Sequence, residues 1–150
     1  MNRRAAIRMS DEEAAAFLDE QRTVICATNG RDGFPHLMPL WYVVRDGTVW
    51  AWTYAKSQKV RNLERDPRAT LQVEAGERYD QLRGLMLRTE AVIHRDPETL
   101  EAFIAELAPR YAPDGVDPSV VLEGFRPQIP KRVALEFVER DRVSWDHRKL

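Results

Sequence analysis

The sequence predicts an all-β (β-rich α+β) domain, an antiparallel barrel with short helices at its rim. Three observations lead there. Runs of β-branched and aromatic residues are separated by the turn signals Asn29-Gly30, Asp32-Gly33 and Asp46-Gly47. The helix-type stretches are short and do not alternate one for one with the strands, as a parallel α/β sheet would require. No repeat, linker or low-complexity tract interrupts the 150 residues, so residues 1–150 read as one domain.

Taken in order, Ser10 and Glu13 have the spacing of a capping box, which predicts a helix from Ser10 to Glu20 through Ala14, Ala15 and Ala16. Val24 to Thr28 reads as a strand, and Leu37 to Val44 as a second. Pro39 lacks an N–H for the ladder, so the second run belongs at an edge or a bulge. The Asp46-Gly47 hairpin signal leads into a third strand, Thr48 to Thr53. A helical turn, Ser57 to Arg65, stops at Asp66-Pro67. Thr70 to Glu74 and Gly84 to His94 read as strands four and five. Asp96-Pro97 opens a helix as N-cap and first helical residue, with Leu100, Phe103, Ile104 and Leu107 on one face. A shorter helix covers Ser119 to Gly124, and the strands Val133 to Val138 and Val143 to Trp145 close the chain.

Charge excludes several classes of partner. Lys and Arg number 23 against 24 Asp and Glu, so no global field draws the chain to nucleic acid or to an anionic membrane. The one cysteine, Cys26, allows no intrachain disulfide and sits in the apolar run Val24-Ile25-Cys26-Ala27, where it reads as a small buried hydrophobe. The arginines of the first eight residues precede no apolar stretch. The expectation is a soluble, cytoplasmic protein with no signal peptide and no spanning segment.

Familiar catalytic constellations are missing. His36, His94 and His147 are far apart and lack metal-ligand spacing, and neither a nucleophile elbow nor a dinucleotide glycine loop occurs. The informative stretch runs from Trp50 to Leu63, where a strand ends at Thr53 and a helix begins near Ser57. The unpaired N–H groups of a helix start attract anions. Thr53 and Ser57 offer hydroxyls there, while Lys56, Lys59 and Arg61 offer charge. These residues alone leave two readings open: a phosphate seat, or a solvated helix face that Ser57 merely caps. Trp50 and Trp52 share one strand face, with Trp41 on the neighbouring strand. They serve either as core or as one wall of a pocket for a planar ring.

Thr53 to Arg68, with Ser57-Gln58-Lys59, Asn62-Leu63 and Asp66-Pro67-Arg68, resembles the pyridoxamine 5'-phosphate oxidase-like superfamily, as does Gly33 to Trp41. Ser144-Trp145-Asp146-His147 is similar to the ending of its actinobacterial deazaflavin-dependent branch. The resemblance runs from about Ser10 to His147. It implies a six-stranded antiparallel split β-barrel that forms a homodimer, with a cofactor in each of two grooves at the interface. Met38, Pro39, Leu40 and Trp41 would then lie along the flavin-type ring. Thr53, Ser57 and Lys59 would match phosphate-binding positions, with Lys56, Arg61 and Asn62 beside them and Trp145 and His147 at the closing end.

Two positions depart from the oxidase proper: Gln58 stands where it has arginine, and Val138 where it has tryptophan. The basic loop suits the deazaflavin F-420, with its polyanionic tail, and FMN is the alternative. The expected function is hydride transfer to or from a small organic molecule, because such a cofactor performs the chemistry while the protein binds and orients. A non-catalytic carrier and a haem-binding or haem-degrading barrel, with His36, His94 or His147 as axial ligand, are the competing readings.

Overall fold

Seven strands form one antiparallel sheet in the computed structural model, which describes residues 2–150. They are β1 (Val24–Asn29), β2 (Pro35–Leu40), β3 (Tyr42–Arg45), β4 (Thr48–Tyr54), β5 (Arg68–Ala75), β6 (Arg83–His94) and β7 (Arg132–Asp146). Their order across the sheet is β2-β1-β5-β6-β7-β4-β3. The two edge strands are consecutive in the chain, separated only by Trp41. One residue advances the chain by less than ~4 Å, so the sheet curls until its edges meet at that corner. There β2 approaches β4, and the sheet becomes a half-barrel. The helices are α1 (Arg3–Ala6), α2 (Asp11–Glu20), α3 (Gln58–Arg65), α4 (Pro97–Tyr111) and α5 (Pro118–Phe125).

The strand count corrects the expected six. The single strand expected over Leu37–Val44 is two, because the backbone breaks at Trp41, directly after Pro39-Leu40. Pro39 does lie on an edge strand, opposite Ile25, as its missing N–H requires. The opposite correction applies at the end of the chain, where the two expected strands Val133–Val138 and Val143–Trp145 are one, β7. The charged run between them, Glu139 to Arg142, lies on a largely exposed stretch of strand, where no apolar alternation is needed. Arg88 pairs with Asp141 and Thr89 with Glu139, so Arg140 is an extra residue in a β-bulge.

Local signals set the boundaries well. The Glu13 N–H donates to Ser10 Oγ at 3.1 Å, and the Ser10 N–H donates to Glu13 Oε2 at 2.7 Å, completing the capping box. Asp96 caps α4 by accepting from the Thr99 N–H at 3.0 Å. Asp46 and Gly47 both take positive φ, 51° and 77°, as a tight hairpin of this twist demands.

The alternation of β4 divides the interior in two. Val49 and Ala51 point into the barrel, where Val24, Tyr42, Leu71, Leu85, Leu135 and Phe137 pack with Phe17 and Leu18 of α2 and Val60 and Leu63 of α3. Trp50 and Trp52 point the other way, onto a second cluster built by Leu100, Phe103, Ile104 and Leu107 of α4. Trp52 is therefore a core residue, and Trp50 a half-buried one packed against the same cluster. Trp52 packs against Phe103 and Phe125, while Trp50 lies between the Arg45 guanidinium and the His94 ring. Trp41, outside both clusters, stacks on Tyr111 with ring centroids 4.4 Å apart.

Candidate functional site

The strand-to-helix junction forms as the sequence suggests, but its side chains turn inward. After β4 ends at Tyr54, the Ser57 N–H donates to the Tyr54 carbonyl at 3.0 Å, and α3 starts with Ser57 as N-cap. The Ser57 hydroxyl makes no capping bond to the helix; it lies 3.5 Å from Thr53 Oγ1. Lys59 is only 6% exposed, and its ammonium donates to Thr53 Oγ1 at 3.1 Å. That burial rules out the solvated helix face for Lys59, though Lys56 and Arg61 are exposed.

Around this lysine sits a small buried polar group. Asn62 Nδ2 donates to Thr28 Oγ1 at 3.1 Å, and Gln58 Nε2 donates to Asn62 Oδ1 at 2.9 Å. Burial pushes the Cys26 thiol up to about 12, against the opposing pull of the Lys59 charge, so Cys26 is the inert core residue expected. Burial likewise lowers the pKa of Lys59, and the nearby Arg132 lowers it further. Among the described residues no carboxylate lies within 4 Å of the Lys59 ammonium. A buried cation satisfied by one hydroxyl is costly unless an anion joins it.

The outward face of α3 lines a cavity of about 540 Å³ with the β1–β2 turn. Gln58, Arg61, Asn62 and Arg65 share that face because their spacing follows the helical repeat. Arg31, Asp32 and His36 complete it from the opposite side. Among the described residues the guanidiniums of Arg31 and Arg61 have no ion-pair partner, whereas Arg65 donates to the Asn29 carbonyl. Buried Nδ1 of His36 has no hydrogen-bond partner. The His36 side chain lines the same cavity as Arg31 and Arg61, and a hollow rimmed by unneutralised cations is a place for an anionic ligand.

Beyond the cavity, β2 carries Leu37 and Met38 to the surface, followed by Trp41. The strand presents apolar side chains that no described element covers. Trp145 and His147 lie elsewhere. Tyr54, near the α3 junction, pairs with Arg132 at the start of β7, while Asp146 at its far end pairs with Arg83. The strand is 15 residues long, and at ~3.3 Å per residue its ends are tens of ångströms apart along the chain. Within the chain, then, Trp145 and His147 do not join the group around Lys59. The His147 ring nitrogen Nδ1 is instead 2.8 Å from the Tyr79 carbonyl.

Sequence reading missed Arg31, Arg65 and Arg132. The helical spacing of Arg61 and Arg65 is a signal that finds the second of these. Arg132 has none: its guanidinium lies 3.8 Å from the Tyr54 ring centre and 4.6 Å from that of Trp52, held by Gln128 Oε1 at 2.6 and 3.1 Å. Among the described residues no cluster of His, Cys, Asp and Glu is grouped to hold a metal ion, and no helix is long and apolar enough to cross a membrane.

Known structures share this architecture. A conserved hypothetical protein of Mycobacterium tuberculosis, Rv2991, is 42% identical, with a TM-score of 0.87 over 97% of this chain and 90% of that one. An F-420 reductase is 22% identical, with a TM-score of 0.66 over 85% of this chain and 93% of that one. The haem storage protein HutZ of Vibrio cholerae is 18% identical, with a TM-score of 0.70 over 89% of this chain and 93% of that one. The last two likenesses speak for the fold. No match was found among the curated proteins. A family model described as pyridoxamine 5'-phosphate oxidase matches residues 10–140, the span that holds β1 to β6, the first part of β7, the buried lysine and the cationic cavity. The chain thus belongs to the pyridoxamine 5'-phosphate oxidase family.

Proposed function

We propose that this chain binds a flavin-type cofactor, F-420 in preference to FMN, as a homodimer, and transfers hydride to or from a small organic molecule. The observation that carries the reading is the cationic cavity beside α3, lined by His36 and by Arg31 and Arg61, which have no ion-pair partner among the described residues. These residues fit the anionic tail of such a cofactor. When bound, the cofactor supplies the hydride chemistry, and the protein's part is binding, orientation and electrostatics.

Arg31 and Arg61 neutralise anionic groups of the tail, and Lys59, Thr53 and Ser57 are the residues for a phosphate at the helix start. Met38 to Trp41 offer the apolar strip for the ring, and His36 lines the cavity beside them. Trp145 and His147 would reach the site from the partner protomer. The name of the F-420 reductase among the structural relatives agrees with this reading.

Titrating the protein with F-420 and with FMN, followed by fluorescence, tests the assignment. Gln58 offers no charge where an arginine would grip a terminal phosphate, and a charge-assisted contact contributes about 1.5–3 kcal/mol, or roughly one to two decades of affinity. F-420 is therefore expected to bind more tightly. FMN binding a decade tighter would overturn the preference for F-420. A Soret band on adding haem, with neither flavin binding, would replace the reading with haem binding. A reduced cofactor that no acceptor reoxidises would make the protein a carrier.

The uncovered apolar strip on β2 supports the homodimer, since exposed patches of this kind mark interfaces. Sedimentation equilibrium at micromolar concentration should give twice the chain mass of 17.4 kDa. A single species at the chain mass would remove the dimer.

A further inference from the structure

We infer that Tyr111, the last residue of α4, is a positioning residue for the cofactor ring and acts through Trp41. The inference rests on the reading above, in which Met38 to Trp41 offer the strip along which the ring lies. It adds a residue that lies outside that strip and far along the chain.

Trp41 has little of its own to fix it. β2 ends at Leu40 and β3 begins at Tyr42, so Trp41 lies at the corner between two edge strands and in neither ladder. It is 49% exposed and belongs to neither core cluster. An indole on such a corner has several staggered rotamers open to it, and a ligand that needs one of them must freeze out the others. A wall for a planar ring serves best when its plane is set beforehand.

Tyr111 sets that plane. The two rings stack with centroids 4.4 Å apart and planes 13° from parallel. The tyrosine is itself held at both ends. Its half-buried ring packs against the second core cluster. Its hydroxyl accepts the Tyr42 N–H at 2.9 Å and donates to the Arg22 carbonyl at 2.7 Å, with the Tyr42 carbonyl 2.9 Å away. Tyr42 follows Trp41 directly, so one side chain grips both the indole and the backbone next to it. β3 has β4 on one side only, and the Tyr111 hydroxyl serves the N–H and C=O that Tyr42 turns to the open side.

The end of α4 is firm enough for this role. Arg110 donates to the carbonyls of Leu18 and Asp19 at 3.0 and 3.1 Å, which fastens the last turn of α4 to the end of α2. Helix ends ordinarily fray. Here the fraying turn is tied down, and Trp41 is tied to it.

A double-mutant cycle on the full-length protein tests this, with F-420 as the probe. Trp41→Leu should weaken F-420 by about tenfold, and Tyr111→Leu by about fivefold. In the Trp41→Leu background, Tyr111→Leu should change the affinity no further, because the residue it acts through is gone. Tyr111→Phe separates positioning from stability. It keeps the stack, so the affinity should stay within about twofold of the parent, while the melting temperature falls because the Tyr42 N–H loses its partner. Acrylamide quenching of the tryptophan emission gives a reading without cofactor. Tyr111→Leu should raise the quenching constant when Trp41 is present and leave it unchanged in the Trp41→Leu background. Tyr111→Gln, which lacks the ring but keeps a hydrogen-bonding group near Tyr42, repeats both measurements should the leucine variant not fold. Equal weakening of F-420 by Tyr111→Leu in both backgrounds, no weakening, or an unchanged quenching constant would each overturn the positioning. F-420 failing to bind the parent, or binding Trp41→Leu unchanged, would instead overturn the cofactor reading, and the inference with it.

Discussion

Lys59→Met should melt at a higher temperature than the parent without ligand, yet bind F-420 at least about tenfold more weakly. The ammonium is buried against one hydroxyl, Thr53 Oγ1, with no carboxylate to neutralise it among the described residues. Burial, reinforced by Arg132, favours the uncharged amine and holds its pKa below the usual lysine value of 10.5. Methionine has nearly the same reach and no charge to desolvate. The direction of the pH effect follows. Between the lowered native pKa and 10.5, the unfolded chain binds more protons than the native one, so the parent gains stability as pH rises. That contribution is complete above the unfolded value and is lost as pH falls through the native one. In Lys59→Met this alkaline rise should flatten. Melting curves across the alkaline range, with a ligand titration of the same variant, read both effects. A lower melting temperature together with unchanged affinity would mean that Lys59 is structural.

Phe103→Ala should cost about 3–5 kcal/mol, the range for removing a fully buried phenylalanine. Phe103 is completely buried and faces Trp52 with ring centroids 5.9 Å apart. It sits at the centre of the cluster that fixes α4 to β4 and β7, so the void cannot close without moving a strand of the barrel. In a chain of this size the melting temperature should fall by roughly 6–20 °C. Because the cluster lies on the opposite face of β4 from Thr53, cofactor affinity of the folded variant should change little. Denaturant unfolding supplies the number, and a loss below about 1 kcal/mol would show that α4 is only loosely held.

What could be read in the sequence was what local chemistry decides. The Ser10–Glu13 box, the Asp96 cap and the Asp46-Gly47 hairpin each depend on residues at most three apart, and each formed as read. What escaped depends on closure. Nothing near Trp41 announces that it joins the two edges of the sheet, because that follows from five other strands lying between β2 and β3. Lys59 looks like a surface residue until β4 and α3 pack, and then its neighbours are Thr53 and the barrel wall. The cavity beside α3 unites residues 30–36 with residues 58–65, and only the pairing of β1, β2 and β5 brings those segments together. The candidate site was therefore legible on its helix side and hidden on its turn side.

The bulge at Arg140 has a consequence for how this gene can change. Side chains on a strand alternate, so one extra residue reverses the assignment of faces for everything after it. Ahead of the bulge the odd-numbered Val133, Leu135 and Phe137 are buried in the barrel, while beyond it odd-numbered Val143 is exposed and even-numbered Asp146 is buried. Replacing Arg140 alters one solvent-facing side chain. Deleting its codon would close the bulge into a regular ladder in which Glu139 still faces Thr89 and Asp141 still faces Arg88, so Val143, Trp145 and Asp146 would keep their faces. Loss of one residue is thus expected to be tolerated better at Arg140 than at its neighbours, and a library of single-codon deletions should show a local maximum of folded protein at this point of β7.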